Sequence, residues 1–158
     1  MHHRSLVTAA CAALALAACS SGGGGSTAPV GGGLPPAYGG GQCNPGTAVQ
    51  LANPLPNQSG VNPNLGSITI VANGSNNALY SSYQSWQIVL QDTYGDQPIF
   101  GSPFQLVPDP NGPHPFASDF YYQSSLNGQL LPAGYNWNVF LGNVATGCGT
   151  NAIGTFST

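Results

Sequence analysis

Tyr135-Asn136-Trp137-Asn138-Val139-Phe140-Leu141 alternates with a period of two. In an extended chain successive side chains point to opposite sides, so Tyr135, Trp137, Val139 and Leu141 share one face and Asn136 and Asn138 take the other. The stretch predicts a half-buried strand, and its texture recurs on either side of it. Residues 67–72 put Ile68, Ile70 and Ala72 on one face, and residues 84–92 do the same with Trp86, Ile88 and Leu90. Residues 116–124 bring Phe116, Phe120 and Tyr122 into register. Weaker runs cover residues 47–51, 98–107 and 152–158. The 98–107 run is interrupted at Gly101 and Pro103, the mark of an edge strand or a bulge. Turn residues fill the gaps: Pro54, Pro56 and Pro63, then Thr93-Tyr94-Gly95-Asp96, then residues 108–115. Residues 73–82 read as a polar loop, and no segment carries a helical period. About seven short strands in residues 43–158 predict an all-β antiparallel sandwich, with a jelly roll or small barrel as the other topology open to such a pattern.

Composition narrows the partners. Of 158 residues, 41% are hydrophobic, enough for a core, yet only 3% are charged, against roughly 25% in ordinary soluble domains. Lys and Glu are absent, Arg4 is the only basic residue, and the acids are Asp92, Asp96, Asp109 and Asp119. A chain without cations cannot neutralise phosphates, which argues against nucleic acid as a partner. It also offers no basic patch to anionic lipid headgroups, so any membrane attachment has to come from elsewhere.

The amino terminus supplies it. Arg4 precedes an apolar run over residues 6–18, shorter than the ~20 residues of a membrane span and ending in small residues, as secretory signals do. Leu16-Ala17-Ala18-Cys19 resembles the lipobox of bacterial lipoproteins. The resemblance implies that residues 1–18 are a signal peptide, that cleavage falls before Cys19, and that Cys19 carries the acyl chains anchoring the protein to the membrane. Several chains on one residue meet the requirement for stable anchoring. Ser20 after the cysteine is similar to the pattern sent to the outer membrane in hosts that have one. Residues 19–42 then form the lipidated cysteine and a disordered Gly/Ser/Pro linker with an r.m.s. reach of ~26 Å.

Leu131-Pro132-Ala133-Gly134-Tyr135 is similar to the turn into strand F of fibronectin type III and bacterial immunoglobulin-like domains. Trp86 matches the core Trp of strand C in that class, and Gly154-Thr155-Phe156-Ser157-Thr158 resembles its last strand. The likeness implies an immunoglobulin-like sandwich over residues 43–158 and a tyrosine corner at Tyr135, whose hydroxyl ties back to nearby backbone. The strands that the likeness assigns as B and F carry no Cys, so the antibody-type disulfide is absent.

Four cysteines are present. Cys11 leaves with the signal and Cys19 takes lipid, which leaves Cys43 and Cys148 as an even pair in an oxidising compartment. A bridge between them staples the start of the domain to its final hairpin; two free buried thiols are the alternative.

Catalytic chemistry is poorly provisioned. Glycoside hydrolysis needs a carboxylate pair at a set separation, whereas the four Asp sit at turns. His114, with Asp109 nearby, is the single histidine beyond the signal and reads as an exposed loop residue. Metal sites need more ligands than this; Asp109, Asn111 and Asp119 offer hard oxygens, but without the spacing of an EF-hand. No enzyme activity, cofactor or metal is expected. A binding role has more support. Tyr80, Tyr83, Tyr94, Tyr121 and Tyr122 lie among Asn, Gln, Ser and Gly, the mix that antibody paratopes use. The expectation is a monomeric, extracytoplasmic, membrane-anchored lipoprotein. Its sandwich serves adhesion, or binds a neutral glycan or an envelope protein; the alternative is an inert spacer domain.

Overall fold

The computed structural model describes residues 41–94 and 98–158. The expected signal peptide, Cys19, the expected linker up to residue 40 and Asp96 lie outside the described residues. The described residues form nine strands: β1 (Val49–Asn53), β2 (Ser67–Asn73), β3 (Trp86–Asp92), β4 (Ile99–Pro103), β5 (Gln105–Val107), β6 (Asp119–Ser125), β7 (Asn136–Asn143), β8 (Cys148–Gly149) and β9 (Gly154–Ser157). They form two antiparallel sheets. One has the order β1-β2-β6-β5; the other runs β4-β3-β7 and then pairs β7 with both β8 and β9. These orders match the ABED and CFG sheets of an immunoglobulin-like sandwich, with β4 added beside strand C.

The alternation in sequence becomes the core. Ile68, Ile70 and Ala72 of β2, Trp86, Ile88 and Leu90 of β3, Tyr122 of β6, and Trp137, Val139 and Leu141 of β7 belong to one buried cluster between the sheets. Each large apolar side chain buried in this way contributes roughly 1.5–3 kcal/mol. A second, smaller cluster lies on the outer face of the first sheet, where Val107 and Phe116 pack on Ala52, Val71 and Tyr121.

The run at residues 98–107 resolves into two edge strands on opposite sheets. β4 pairs with β3, with a register shift between Gln87 and Val89, and β5 pairs with β6. The switch occurs at Phe104, whose N–H still bonds to Trp86 O (2.8 Å) while its ring enters the core. Here the sheets approach so closely that a Cβ on Gly101 would stand 2.2 Å from Ser124 Oγ. That hydroxyl is fully buried and ties the sheets together, donating to Ser102 O (2.6 Å) and accepting from Ile88 N (3.3 Å).

The polar loop expected at residues 73–82 contains a short helix, α1 (Ala78–Ser82), followed by a 3-10 turn at Tyr83–Ser85. One helical turn is too short to show a period. Its signal was the cap: the Asn77 side chain accepts from Tyr80 N (2.7 Å). Leu79 is the residue that α1 buries in the core. Among the described residues no helix is long and apolar enough to cross a membrane.

Candidate functional site

The sandwich has two distinct ends. At the proximal pole the described chain begins at Gly41, and Gln42 pairs with Gly149 of β8. Cys43 is bridged to Cys148 across Cα atoms 5.5 Å apart, and Cys43 N bonds to Gly149 O (2.8 Å). The β2–β3 loop belongs to this pole, since Gly74 N reaches Ser118 O (2.7 Å) and Val144 N reaches Ser85 O (2.8 Å). A cleft of about 620 Å³ lies here, lined by Gln42, Asn44, Thr47, Val49, Asn151 and Ile153 among others. Its described lining holds no aromatic ring, and three of its amides are already engaged: Gln42 bonds to Asn151, and Asn44 Oδ1 caps Gly46 N.

The tyrosines do not gather on one rim. Tyr122 is fully buried between the sheets, its ring beside Tyr83 (5.6 Å) and Phe104 (6.0 Å). Burial, with smaller contributions from Tyr80 and Tyr83, pushes its hydroxyl up to about 12, and among the described residues that hydroxyl has no hydrogen-bond partner. Tyr121 points to the other side of β6, 3% exposed, in the outer cluster. The expectation of a ligand surface therefore fails for Tyr121 and Tyr122. Residues 119–125 alternate between two apolar environments, so both faces of that strand bury an aromatic. Tyr80 packs edge-on against Phe120 (5.1 Å) at the proximal pole. Tyr94 alone is strongly exposed, at 72%, and it lies at the opposite end, with its ring 5.1 Å from Tyr135.

His114 gathers more partners than an isolated loop histidine. Its Nδ1 lies 3.1 Å from Asp119 Oδ2 and 3.1 Å from the Tyr121 hydroxyl, and its Nε2 lies 3.5 Å from Asp109 Oδ2. The Tyr121 hydroxyl donates to Pro113 O (2.8 Å), so toward the imidazole it can only accept, and Nδ1 therefore carries the proton. Burial raises the Tyr121 hydroxyl, and the charges of Asp109 and Asp119 raise it further. Both carboxylates also cap turns, Asp109 at Asn111 N and Asp119 at Phe116 N. Asp92, buried at the end of β3, does the same for Tyr94 N (3.0 Å). Among the described residues no group of three or more His, Cys, Asp or Glu could hold a metal ion.

The distal pole carries the arrangement that the tyrosine pattern missed. A groove of about 330 Å³ runs over the start of β7 and the end of β9. Asn57, Thr93, Asn136, Asn138, Thr155 and Ser157 line it, with Trp137 and Phe156 behind them. Asn136 pairs with Ser157 and Asn138 with Thr155 across the two strands, and Asn138 faces Gln91 on its other side. The result is a row of uncharged hydrogen-bonding groups on a rigid sheet. Thr155 Oγ1 donates to Asn57 Oδ1 (2.8 Å), which fixes the rim. The alternation that put Trp137 and Val139 inside put Asn136 and Asn138 outside, so this signal was present in the sequence as the polar half of its strongest strand.

Thr158 holds this end together. Its hydroxyl donates to Pro132 O (2.5 Å) and accepts from Tyr135 N (3.3 Å) and Trp137 Nε1 (3.4 Å). The link expected of the Tyr135 hydroxyl is thus made by Thr158. Among the described residues the Tyr135 hydroxyl has no hydrogen-bond partner, and its ring instead stacks on Trp137 (5.9 Å, 25°) and meets Tyr94. No protein-family model matches the chain, and no curated protein or solved structure matches it.

Proposed function

We propose that this chain is a lipid-anchored protein of the bacterial envelope whose sandwich presents a binding surface at its distal pole. In this reading residues 1–18 are removed, Cys19 is acylated, and the linker joins the lipid to the proximal pole. The observation that carries it is the placement of the groove. It sits at the opposite end of β7 from the Cys43–Cys148 bridge: Asn143 pairs with Cys148, and Asn138 and Asn136 lie five and seven residues before it, roughly 17–23 Å away. A surface at the far end of a tethered domain is the one that faces away from the membrane. The burial of Tyr121 and Tyr122 favours the second reading, an inert spacer.

Two measurements separate them. Replacing Cys19 with Ala should abolish incorporation of labelled palmitate and release the protein from membranes; retention of both overturns the anchor. Fluorescently labelled mature chain should bind purified envelope vesicles saturably, and Asn138→Arg should remove that binding. No saturable binding, or binding indifferent to Asn138→Arg, leaves the spacer.

A further inference from the structure

We propose that Asn111 is a site of spontaneous deamidation, where the folded protein gains a carboxylate without any enzyme, while the same dipeptide at Asn73 is guarded by the fold.

The chemistry belongs to an Asn followed by Gly. The glycine backbone nitrogen attacks the carbonyl carbon of the Asn side chain. Its proton passes through solvent to the side-chain nitrogen, which leaves as ammonia, and a cyclic imide closes. Water then opens the ring. Attack at one carbonyl gives aspartate; attack at the other gives isoaspartate, with the main chain rerouted through the side chain. One water is consumed and one ammonia released, with no change of oxidation state. Glycine favours the step because it has no Cβ to obstruct the approach and leaves the backbone free to turn.

Three Asn-Gly pairs occur, at Asn73-Gly74, Asn111-Gly112 and Asn127-Gly128, and the fold treats them differently. Ring closure needs an uncommitted glycine N–H and a main chain that can turn about the Asn. At Asn73 both are denied. Gly74 N donates to Ser118 O (2.7 Å), Asn73 closes the β2–β6 ladder opposite Asp119, and Asn77 Nδ2 holds both Asn73 O and Gly74 O. At Asn127 the glycine N–H is open, but the turn around it is closed by Gln129 N to Leu126 O (3.0 Å) and Asn127 N to Ser125 Oγ (3.0 Å). Asn111 has neither guard. Among the described residues Gly112 N finds no acceptor, and residues 108–115 make no backbone–backbone hydrogen bond. Pro108, Pro110, Pro113 and Pro115 have no N–H to offer. The local restraint on Asn111 is its own N–H, given to Asp109 Oδ1 (2.8 Å). Asn111 is exposed and sits at φ 55°, a left-handed conformation that every residue but Gly holds at a cost, so little opposes its leaving. The new carboxylate would stand on the loop that already carries Asp109 and His114.

The test ages the full mature chain, with Cys19→Ala for solubility, at mildly alkaline pH, folded and in parallel in urea. Peptide mapping by mass spectrometry in heavy-oxygen water locates each conversion, and an isoaspartyl methyltransferase counts the isomerised product. Folding should slow Asn111 by less than about tenfold relative to urea, and should slow Asn73 by more than about tenfold, because Asn73 reacts only when the end of β2 opens. Asn111→Gly, which suits the positive φ, should remove the conversion at this loop and keep the unfolding midpoint. Asn77→Ala, which releases Asn73 O and Gly74 O, should speed conversion at Asn73 and leave Asn111 unchanged. Slowing of Asn111 by tenfold or more on folding overturns the proposal, as does an Asn73 that converts in the folded chain as fast as Asn111.

Discussion

The two poles close the same sandwich by different means. At the proximal pole the fastening is covalent and apolar: Cys43–Cys148 joins the start of the domain to β8, and Leu79 of α1 plugs the core. Gly46 comes so close to α1 that a Cβ there would lie 3.0 Å from that of Ala78. At the distal pole the fastening is hydrogen bonding. Thr158 collects Pro132, Tyr135 and Trp137, Val61 N bonds to Ser157 O, and Leu131 N bonds to Pro63 O. A chain with almost no charge has these two ways to finish a sandwich. The difference teaches where to look for function. At the proximal pole Gln42, Asn44, Asn77, Asn143 and Asn151 spend their amides on structure, whereas Asn136 and Asn138 of β7 make no side-chain hydrogen bond among the described residues.

The largest test of the comparison is to remove the covalent half. The bridge closes a loop of 105 residues, for which the chain-entropy model gives ~4–5 kcal/mol. The double variant Cys43→Ser, Cys148→Ser should lose an amount of that order in urea unfolding. A loss below about 1 kcal/mol would mean that the backbone bonds from Cys43 and Gly149 already hold this pole. The corresponding cut at the other end is Thr158→Val, which keeps the shape and removes the hydroxyl. Trp137 Nε1 is then left without its acceptor and Pro132 O without its donor, at a cost of about 2 kcal/mol. A fluorescence shift of Trp137 should accompany the loss. A neutral Thr158→Val would show that β9 pairing alone closes the distal pole.

The sandwich was legible because its signal is periodic over long strands. Trp86, Ile88 and Leu90, then Trp137, Val139 and Leu141, declare an inner face by spacing alone, and the structure buries all six. What was not legible depended on one residue at a time. Nothing in the Gly101–Val107 run says that the chain crosses between sheets at Phe104; that follows from the close approach of Gly101 to Ser124 in the folded state. Residue type alone marks the tyrosines as candidates. Type does not separate Tyr121 from Tyr122, nor either from Tyr94, because exposure depends on which loop covers each. Asn136 and Asn138 stand outside by period, but that neither makes a side-chain hydrogen bond among the described residues appears only in the folded structure.

A smaller effect sharpens the proximal side. Asn77 caps α1 through Tyr80 N and also donates to Asn73 O (3.0 Å) and Gly74 O (2.6 Å). Asn77→Ala should cost about 1 kcal/mol, the usual worth of a cap. Hydrogen exchange should rise in residues 74–85 and stay unchanged at the distal pole. Faster exchange at Asn136 or Thr155 would mean that the two ends are coupled and the division between them is false.

The finest comparison runs through a single peptide bond. Tyr121 and Tyr122 are both buried, but the Tyr121 hydroxyl donates to Pro113 O while the Tyr122 hydroxyl has no partner among the described residues. An unpaired buried hydroxyl opposes folding, and removing it recovers part of its desolvation cost. Tyr122→Phe should therefore stabilise by something under about 1 kcal/mol, whereas Tyr121→Phe should destabilise by a similar amount. The pH dependence gives the pair a second signature. Tyr122 sits at about 12, above the ordinary value of 10.0, so the folded chain keeps a proton that the unfolded chain gives up between those values. The stability this supplies is complete below pH 10 and drains away as pH rises through the folded value, by up to about 1.4 kcal/mol per unit. Tyr122→Phe should flatten that alkaline slope. A remainder should persist from Tyr121, whose hydroxyl is raised as well. If Tyr122→Phe destabilises at pH 7, or leaves the alkaline slope untouched, its hydroxyl has a partner after all.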